Sequence, residues 1–418
     1  MPEFTTTFTT TFTTTFTTAQ KHRISLLLLW MTTLGQTSVT LYLPSFPAIA
    51  NSFNISAIEV KQTITIFILG FGGSTLFYGP MSDRYGRKPI LLIGIFIACI
   101  GYVINLCANT IPIFMFARLV EGIGCGGALL GGRSISRDVF SGRELASATS
   151  NLSMGFAIGF GVSPVIGGLI ANYLGWRANF VFLLLIGITL FITIWRLLPE
   201  TLAHKENHIQ FNKFLYKTII DYRLILSNLR FFKFLLGGFF AYSVVISYNV
   251  MTPFLIQNTF NVSTTNYGYL ALLVGIPYYL ASSYNKKLVL KFGIEPIFIL
   301  GCGLIILAGT AMLILNFTTK PNLIYVMAPM MIATFGQAFI FSNTISGALQ
   351  EFPSKSSGKA SAIFSSIQMM MISLLSAIIA TLPNNMLSLA LVISILGICC
   401  AITLSDSTKI KLKKNNIL

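Results

Sequence analysis

The chain has 418 residues, of which 54% are hydrophobic and only 10% charged, with a mean hydropathy of +0.77. A soluble protein carries about 25% charged residues, so an ordinary aqueous surface is excluded and lipid is the solvent for most of this chain. The net charge of +16 is no nucleic-acid signal, because its placement along the chain follows membrane topology.

Residues 1–23 form a low-complexity tail in which Phe4, Phe8, Phe12 and Phe16 recur among threonines ahead of Lys21 and Arg23. The apolar run 24–50 that follows is too long for a signal peptide and leads into further runs, so it reads as an uncleaved first span. With about 20 apolar residues per spanning helix, further spans are expected at 61–82, 89–108, 111–133, 144–172, 177–198, 232–257, 265–285, 295–317, 321–347, 357–381 and 384–405. The hydrophilic segment 199–231 divides these twelve into two sets of six, 24–198 and 232–405, and a basic tail occupies 406–418. The short basic loop after the second span recurs after the eighth, as duplicated halves would give.

Of the 28 lysines and arginines, only Lys61, Arg177 and Lys320 would face one side, while Arg118 and Arg133 lie within a span. The rest fall in segments sharing the opposite side, which is the positive-inside asymmetry and puts both termini in the cytoplasm. The six cysteines lie in apolar runs, with no disulfide framework or metal-ligand spacing, and read as small buried hydrophobes. No Gly-Lys-Ser/Thr phosphate loop is present, so ATP is not the expected energy source. A channel's repeated selectivity sequence and an enzyme's clustered acids and bases are missing as well.

The loop after the second span reads Gly79-Pro-Met-Ser-Asp83-Arg84-Tyr-Gly86-Arg87-Lys88. Its glycines permit a tight turn at the membrane face, and Asp83 with Arg84, Arg87 and Lys88 can form a charge cluster. The fourth span carries Arg118-Leu-Val-Glu121-Gly122-Ile-Gly124, and the fifth carries Gly159, Gly161, Ser163, Pro164, Gly167 and Gly168. Together these strings resemble the signature motifs of the major facilitator superfamily. Tyr42-Leu43-Pro44-Ser45-Phe46-Pro47, Gly132-Arg133-Ser-Ile-Ser-Arg137-Asp138, Leu198-Pro199-Glu200-Thr201 and Gly358-Lys-Ala360-Ser361-Ala362 resemble its bicyclomycin- and chloramphenicol-resistance exporters.

The resemblance implies an all-α fold of two pseudo-symmetric six-helix bundles around a central cavity. It also implies a monomeric, proton-coupled exporter of the bacterial inner membrane, working by alternating access without cofactor, metal or catalysed chemistry. Asp83 would then meet the positive N-terminal end of the eleventh helix and latch the halves in one state, with Arg137 and Asp138 joining the cluster. Gly159, Pro164, Gly167 and Gly168 would give a kinked, closely packed interface helix.

Ionisable groups inside a membrane are functional candidates. Arg118 and Glu121 lie one turn apart and can pair, either facing a wet cavity or as a structural pair between helices; Arg133 would reach the cavity mouth. Gln36, Thr40, Tyr42, Tyr242, Tyr248, Asn249, Gln337, Asn343 and Gln368 are further candidates for its wall, with Tyr42 foremost because Pro44 and Pro47 interrupt its helix. Thr40 stands where the resembled exporters carry an aspartate, and no carboxylate is expected inside a second-half helix, with Glu295 and Glu351 read as loop residues. A positively biased cavity favours an anionic or zwitterionic solute, such as a polycarboxylate or citrate-type siderophore, over a lipophilic cation. Drug efflux and anion carriage, and the direction of movement, both stay open at this level.

Overall fold

The computed structural model describes residues 16–202, 225–318, 321–350, 352 and 354–415. The expectations for most of the N-terminal tail, for the middle of the hydrophilic segment and for Lys320 fall outside these residues. Among the described residues the chain is helical, with no strands.

Proline and capping chemistry set most of the boundaries. Helix α1a (Thr18–Thr40) starts on a reciprocal Thr17–Gln20 capping box. It stops at Thr40, whose carbonyl the Pro44 ring would otherwise meet. A 3₁₀ turn, Leu43–Ser45, then leads into α1b (Phe46–Phe53), and Asn54 ends that helix in the left-handed region at φ 52°. Helix α2 (Ala57–Tyr85) starts on a second capping box, Ser56–Glu59, and ends at Gly86. Gly86 has φ +111°, and a Cβ there would sit 2.5 Å from a carboxylate oxygen of Glu200, so both backbone and space require glycine.

Helices α3 (Arg87–Cys107), α4 (Ile111–Val139) and α6 (Ala178–Leu197) are continuous, whereas the fifth breaks at Val162 into α5a (Gly142–Gly161) and α5b (Ser163–Leu174) just ahead of Pro164. The second half comprises α7 (Leu229–Phe254), α8 (Thr264–Phe292), α9 (Ile294–Thr318), α10 (Leu323–Leu349), α11 (Ser354–Ala380) and α12 (Met386–Asn415). A π-helical turn, Leu255–Thr259, extends α7. Helix α12 runs on through most of the segment expected as a separate tail.

Among the described residues eleven helices are long and apolar enough to cross a membrane. The remaining one, α8, has 29 residues and packs against α5 and α10, but its tyrosines, asparagine and lysines dilute its hydropathy. Many large side chains on the outside are apolar, Phe77, Trp195, Phe317 and Leu374 among them. Lipid is the solvent that such a surface suits.

The packing repeats with a shift of six helices. Helix α2 packs on α4 as α8 does on α10, α3 on α6 as α9 on α12, and α1 on α5 as α7 on α11. The two halves meet along α2–α11 and along α5–α8, which exchange places under the same shift. This is the pseudo-two-fold arrangement expected of duplicated transporter halves.

Candidate functional site

A cavity of about 310 Å³ lies between the halves and extends toward the end that bears the basic loops. Its size is at the lower end of small-molecule sites. At the opposite end the halves touch. The Phe46 and Phe254 rings lie 5.9 Å apart, and Gln257 Nε2 donates to the Pro44 carbonyl at 2.9 Å.

The cavity wall is mainly apolar and contains a cluster of stacked rings. Phe341 of α10 stacks on Phe156 of α5a (5.6 Å, 24°) and on Tyr242 of α7 (5.4 Å, 28°), while Tyr278 of α8 stands 5.7 Å from Phe156. Phe67 and Phe71 of α2, Met31 of α1a, Met369 of α11 and several leucines and isoleucines make up the rest of the apolar part. The polar part holds Gln36, several serines, and two cations on successive turns of α4, Arg133 and Arg137. Among the described residues no carboxylate lines this cavity.

Of the twelve wall candidates named from sequence, Gln36, Arg133 and Tyr242 line the cavity. The Gln36 amide nitrogen has no protein partner. Arg133 donates to Ser365 Oγ of α11 at 2.5 Å, a contact between the halves.

The other nine do not line this cavity. Tyr42 is fully buried toward the closed end, its hydroxyl 3.0 Å from Thr63 Oγ1 and its ring against Phe46 and Phe180. Thr40 spends its hydroxyl on the Gly159 carbonyl at 2.7 Å, tying α1a to α5a. Tyr248, Asn249, Gln337, Asn343 and Gln368 are buried within the second half, off the wall; Asn343 Nδ2 donates to Asn285 Oδ1 at 2.8 Å.

Arg118 and Glu121 pair at 2.6 Å with neither side chain exposed, and they do not face the cavity. The guanidinium lies between the Tyr42 ring (4.3 Å) and the Phe67 ring (4.5 Å) and donates to the Ser38 carbonyl. Asn105 of α3 donates to Glu121 Oε2 at 2.8 Å. Four helices of the first half thus converge on one sealed ion pair, which sits one ring, that of Phe67, behind the cavity wall. A buried pair needs this many partners, since desolvation of both charges otherwise outweighs their attraction.

The basic loop does form a cluster, but within its own half. Arg87 pairs with Asp83 (2.5 Å) and with Asp138 (2.9 Å), and Glu200 Oε1 accepts from the Arg87 backbone N–H at 2.9 Å. Lys88 Nζ donates to the Trp195 carbonyl at 2.8 Å, and Arg84 lies over the neighbouring Tyr85 ring. The expected contact of Asp83 with the start of α11 concerns side chains outside the described ones. Asp138 joins the cluster as expected, whereas Arg137 turns to the cavity instead.

Gly79 comes close to Ala362 of α11 across the seam. On the fifth helix, Gly159 packs on Gln36, Gly167 on the Leu41 carbonyl and Gly168 on Thr264 of α8, while the Pro164 carbonyl lies against Gly268. The ring cluster at Phe156, Tyr278 and Phe341 escaped the sequence, because a ring in an apolar run looks the same whether it packs or binds. Lys61, expected at the start of the second span and facing the side opposite the basic loops, is fully buried at the α2–α11 seam.

The chain matches the Major Facilitator Superfamily over residues 28–376. Multidrug resistance protein D of Escherichia coli (strain K12) is 26% identical over 381 residues, covering 89% of this chain and 92% of that protein. The bicyclomycin resistance protein homolog of Haemophilus influenzae is 26% identical over 388 residues, covering 89% and 92%. A D-xylose-proton symporter shares the fold, with a TM-score of 0.75 at 16% identity over 92% of this chain and 97% of that one. The chain therefore belongs to the major facilitator superfamily and is a multi-pass membrane transporter rather than an enzyme.

Proposed function

We propose that this superfamily member exports a small, largely apolar aromatic solute that carries negative charge or none, by alternating access across the inner membrane. The observation that carries this reading is the cavity wall: stacked rings from both halves, two arginines and, among the described residues, no carboxylate. A lipophilic cation would meet Arg133 and Arg137 with, among the described residues, no carboxylate on the wall beside them. A polycarboxylate or citrate-type siderophore would find only two cations in a wall made chiefly of ring and aliphatic surface. Efflux is favoured by the relatives named for drug resistance. The direct test is ligand-induced thermal stabilisation of the purified protein with aromatic monocarboxylates, their methyl esters, lipophilic cations and polycarboxylates. Stabilisation by cations alone overturns the reading.

With the basic loops and both termini in the cytoplasm, the cavity opens inward. In a Cys107→Ser background, Asn109→Cys should react with an impermeant maleimide added to intact cells, and Ser141→Cys only after permeabilisation. Both positions are exposed and lie at opposite ends of α4.

Glu121 is the one fully buried carboxylate among the described residues. It is the group we assign to a coupled proton, since Arg118 can hold its charge in one state and a proton can replace that contact in the other. The assignment requires solute-driven proton flux in proteoliposomes that disappears in Glu121→Gln while solute binding persists. Unchanged flux in that variant removes it.

A further inference from the structure

Arg133 brings a positive charge to the cavity wall. It stands on the wall of α4, half-buried, and its partner there is a neutral hydroxyl, Ser365 Oγ. Ser365 belongs to the other half, and the contact runs beside the α2–α11 seam. The adjacent residue, Ser366, pairs with Thr75 of α2 at 2.6 Å. One turn further along, Gly72 approaches Met369 so closely that a Cβ would lie 2.7 Å from it. At this level the halves are in full contact, and Arg133 adds a bond on the cavity side of that contact.

A serine hydroxyl offers a guanidinium one neutral acceptor. A carboxylate, sulfonate or phosphate offers two or more charged oxygens in the geometry of the guanidinium fork, and such bonds are roughly twice as strong. Ser365, once released, need not be left unsatisfied, because a helical serine can donate to the carbonyl one turn back. The exchange from hydroxyl to anion therefore favours Arg133 and leaves Ser365 with a backbone acceptor.

We infer that Arg133 is the specificity-determining contact for an anionic group on the transported solute, and that it takes this group by giving up Ser365, which loosens the α2–α11 seam. The inference rests on the proposed aromatic-solute reading and adds to it which residue reads the charge and how that charge is linked to movement. Neutral aromatic solutes occupy the same rings but leave the Arg133–Ser365 bond in place. They bind without promoting separation of the halves.

The test uses the full-length purified protein with 1-naphthoate and its methyl ester as probes, measured by titration calorimetry. Wild type should prefer the acid, and Arg133→Gln should reduce the acid-to-ester affinity ratio roughly ten- to hundredfold, the worth of a charge-assisted bond. Arg133→Lys should recover part of that ratio. Ser365→Ala should tighten binding of the acid several-fold and leave the ester unchanged, because Arg133 no longer has to be freed. In a cysteine-depleted Thr75→Cys, Ser366→Cys protein, naphthoate should slow disulfide crosslinking of the seam and the ester should not. An unchanged ratio in Arg133→Gln, or weaker acid binding in Ser365→Ala, overturns the inference while leaving the aromatic-solute reading intact. Binding of the ester but not the acid by wild type has the same effect, and binding of neither overturns both.

Discussion

The two seams that join the halves occupy equivalent places under the pseudo-symmetry and are built from different chemistry. Along α2–α11, beside the close approach of Gly72 to Met369, a row of side-chain hydrogen bonds crosses the seam. Thr65 pairs with Ser376 at 2.8 Å and Thr75 with Ser366 at 2.6 Å, and Ser373 donates to the Thr65 carbonyl at 3.0 Å. Lys61 closes the row by donating to the carbonyls of Ala380 (3.3 Å) and Leu382 (3.1 Å). Along α5–α8 the Phe156 and Phe160 rings meet Tyr278 beside the cavity, and the closest approaches are backbone against backbone: Gly161 faces Gly275, Gly168 faces Thr264 and Gly268 faces Pro164. Separate hydrogen bonds open one at a time, each with a definite cost, whereas a smooth glycine face can pivot or slide with little change in energy. On this asymmetry we assign α2–α11 the part of catch and α5–α8 that of hinge in a rocking pair.

The supports behind the seams differ in the same sense. Helix α2 is backed by α4 with the sealed Arg118–Glu121 pair, whose guanidinium lies on the Phe67 ring of α2. Helix α8 is backed by α10 through neutral groups, the Asn285–Asn343 amide pair and Thr334, whose hydroxyl donates to the Val274 carbonyl. The largest expected effect follows from this difference. Glu121→Gln should destabilise the protein by about 3–5 kcal/mol, as is usual when one partner of a buried ion pair is removed. Asn343→Leu should cost about 1–3 kcal/mol, the range for a buried polar group left unpaired. Chemical denaturation in detergent measures both. Equal losses would show that the two backings are equivalent after all.

Next in size is a test of the hinge. A Cβ on Gly268 would lie 2.5 Å from the Pro164 carbonyl oxygen and 2.9 Å from Val165 Cα, and backbone cannot move aside. Gly268→Ala should therefore cost about 1–3 kcal/mol through overpacking and should impair transport beyond its effect on folding. Gly161→Ala is the control, because there the nearest atoms are Leu272 Cδ1 at 3.5 Å and Gly275 Cα at 3.7 Å, ordinary contact distances. It should be close to neutral in both readouts. A neutral Gly268→Ala would mean that the seam is looser than its geometry.

How much of this was legible beforehand depended on the kind of signal. The spans, the two halves and their division followed from hydropathy and charge, because lipid imposes both on the chain whatever the fold does in detail. The break of helix 1 at Pro44 and of helix 5 at Pro164 was written in the prolines. The cavity was much less legible. Polarity pointed to Tyr42, Tyr248, Gln337 and Gln368, yet in a helix bundle polar groups also hold helices together, and these side chains are buried away from the cavity wall. The residues that do line it include Phe156, Tyr278 and Phe341, which carry no local mark of function. Which face of a helix meets the cavity is set by contacts between helices distant in sequence, and a single sequence does not record them. Lys61 shows the same limit: its place at the start of the second span was legible, but only the approach of α11 shows what it bonds.

The smallest of these effects on overall stability is expected at Lys61, but it bears most directly on the catch. The ammonium group satisfies carbonyls at the C-terminal end of α11, where the helix dipole is negative and carbonyls lack partners within the helix. Lys61→Met removes this bond but also removes a buried cation, so the two contributions to folding stability oppose each other and largely cancel. They do not cancel in the equilibrium between conformations. The bond to α11 exists only while this end is closed, and opening it would return the ammonium to water. Its loss should shift the population toward opening at this end by roughly ten- to hundredfold, as a charged hydrogen bond of about 1.5–3 kcal/mol implies. Thr381→Cys, at an exposed position between the two carbonyls, reports the shift through faster maleimide labelling in the Lys61→Met background. Lys61→Arg, which keeps the charge and the donors, should label at the slow rate of the unmodified seam. Equal labelling in all three backgrounds would assign the catch to the hydroxyl pairs alone, and the difference between the seams would then lie in their hydroxyls rather than in their charge.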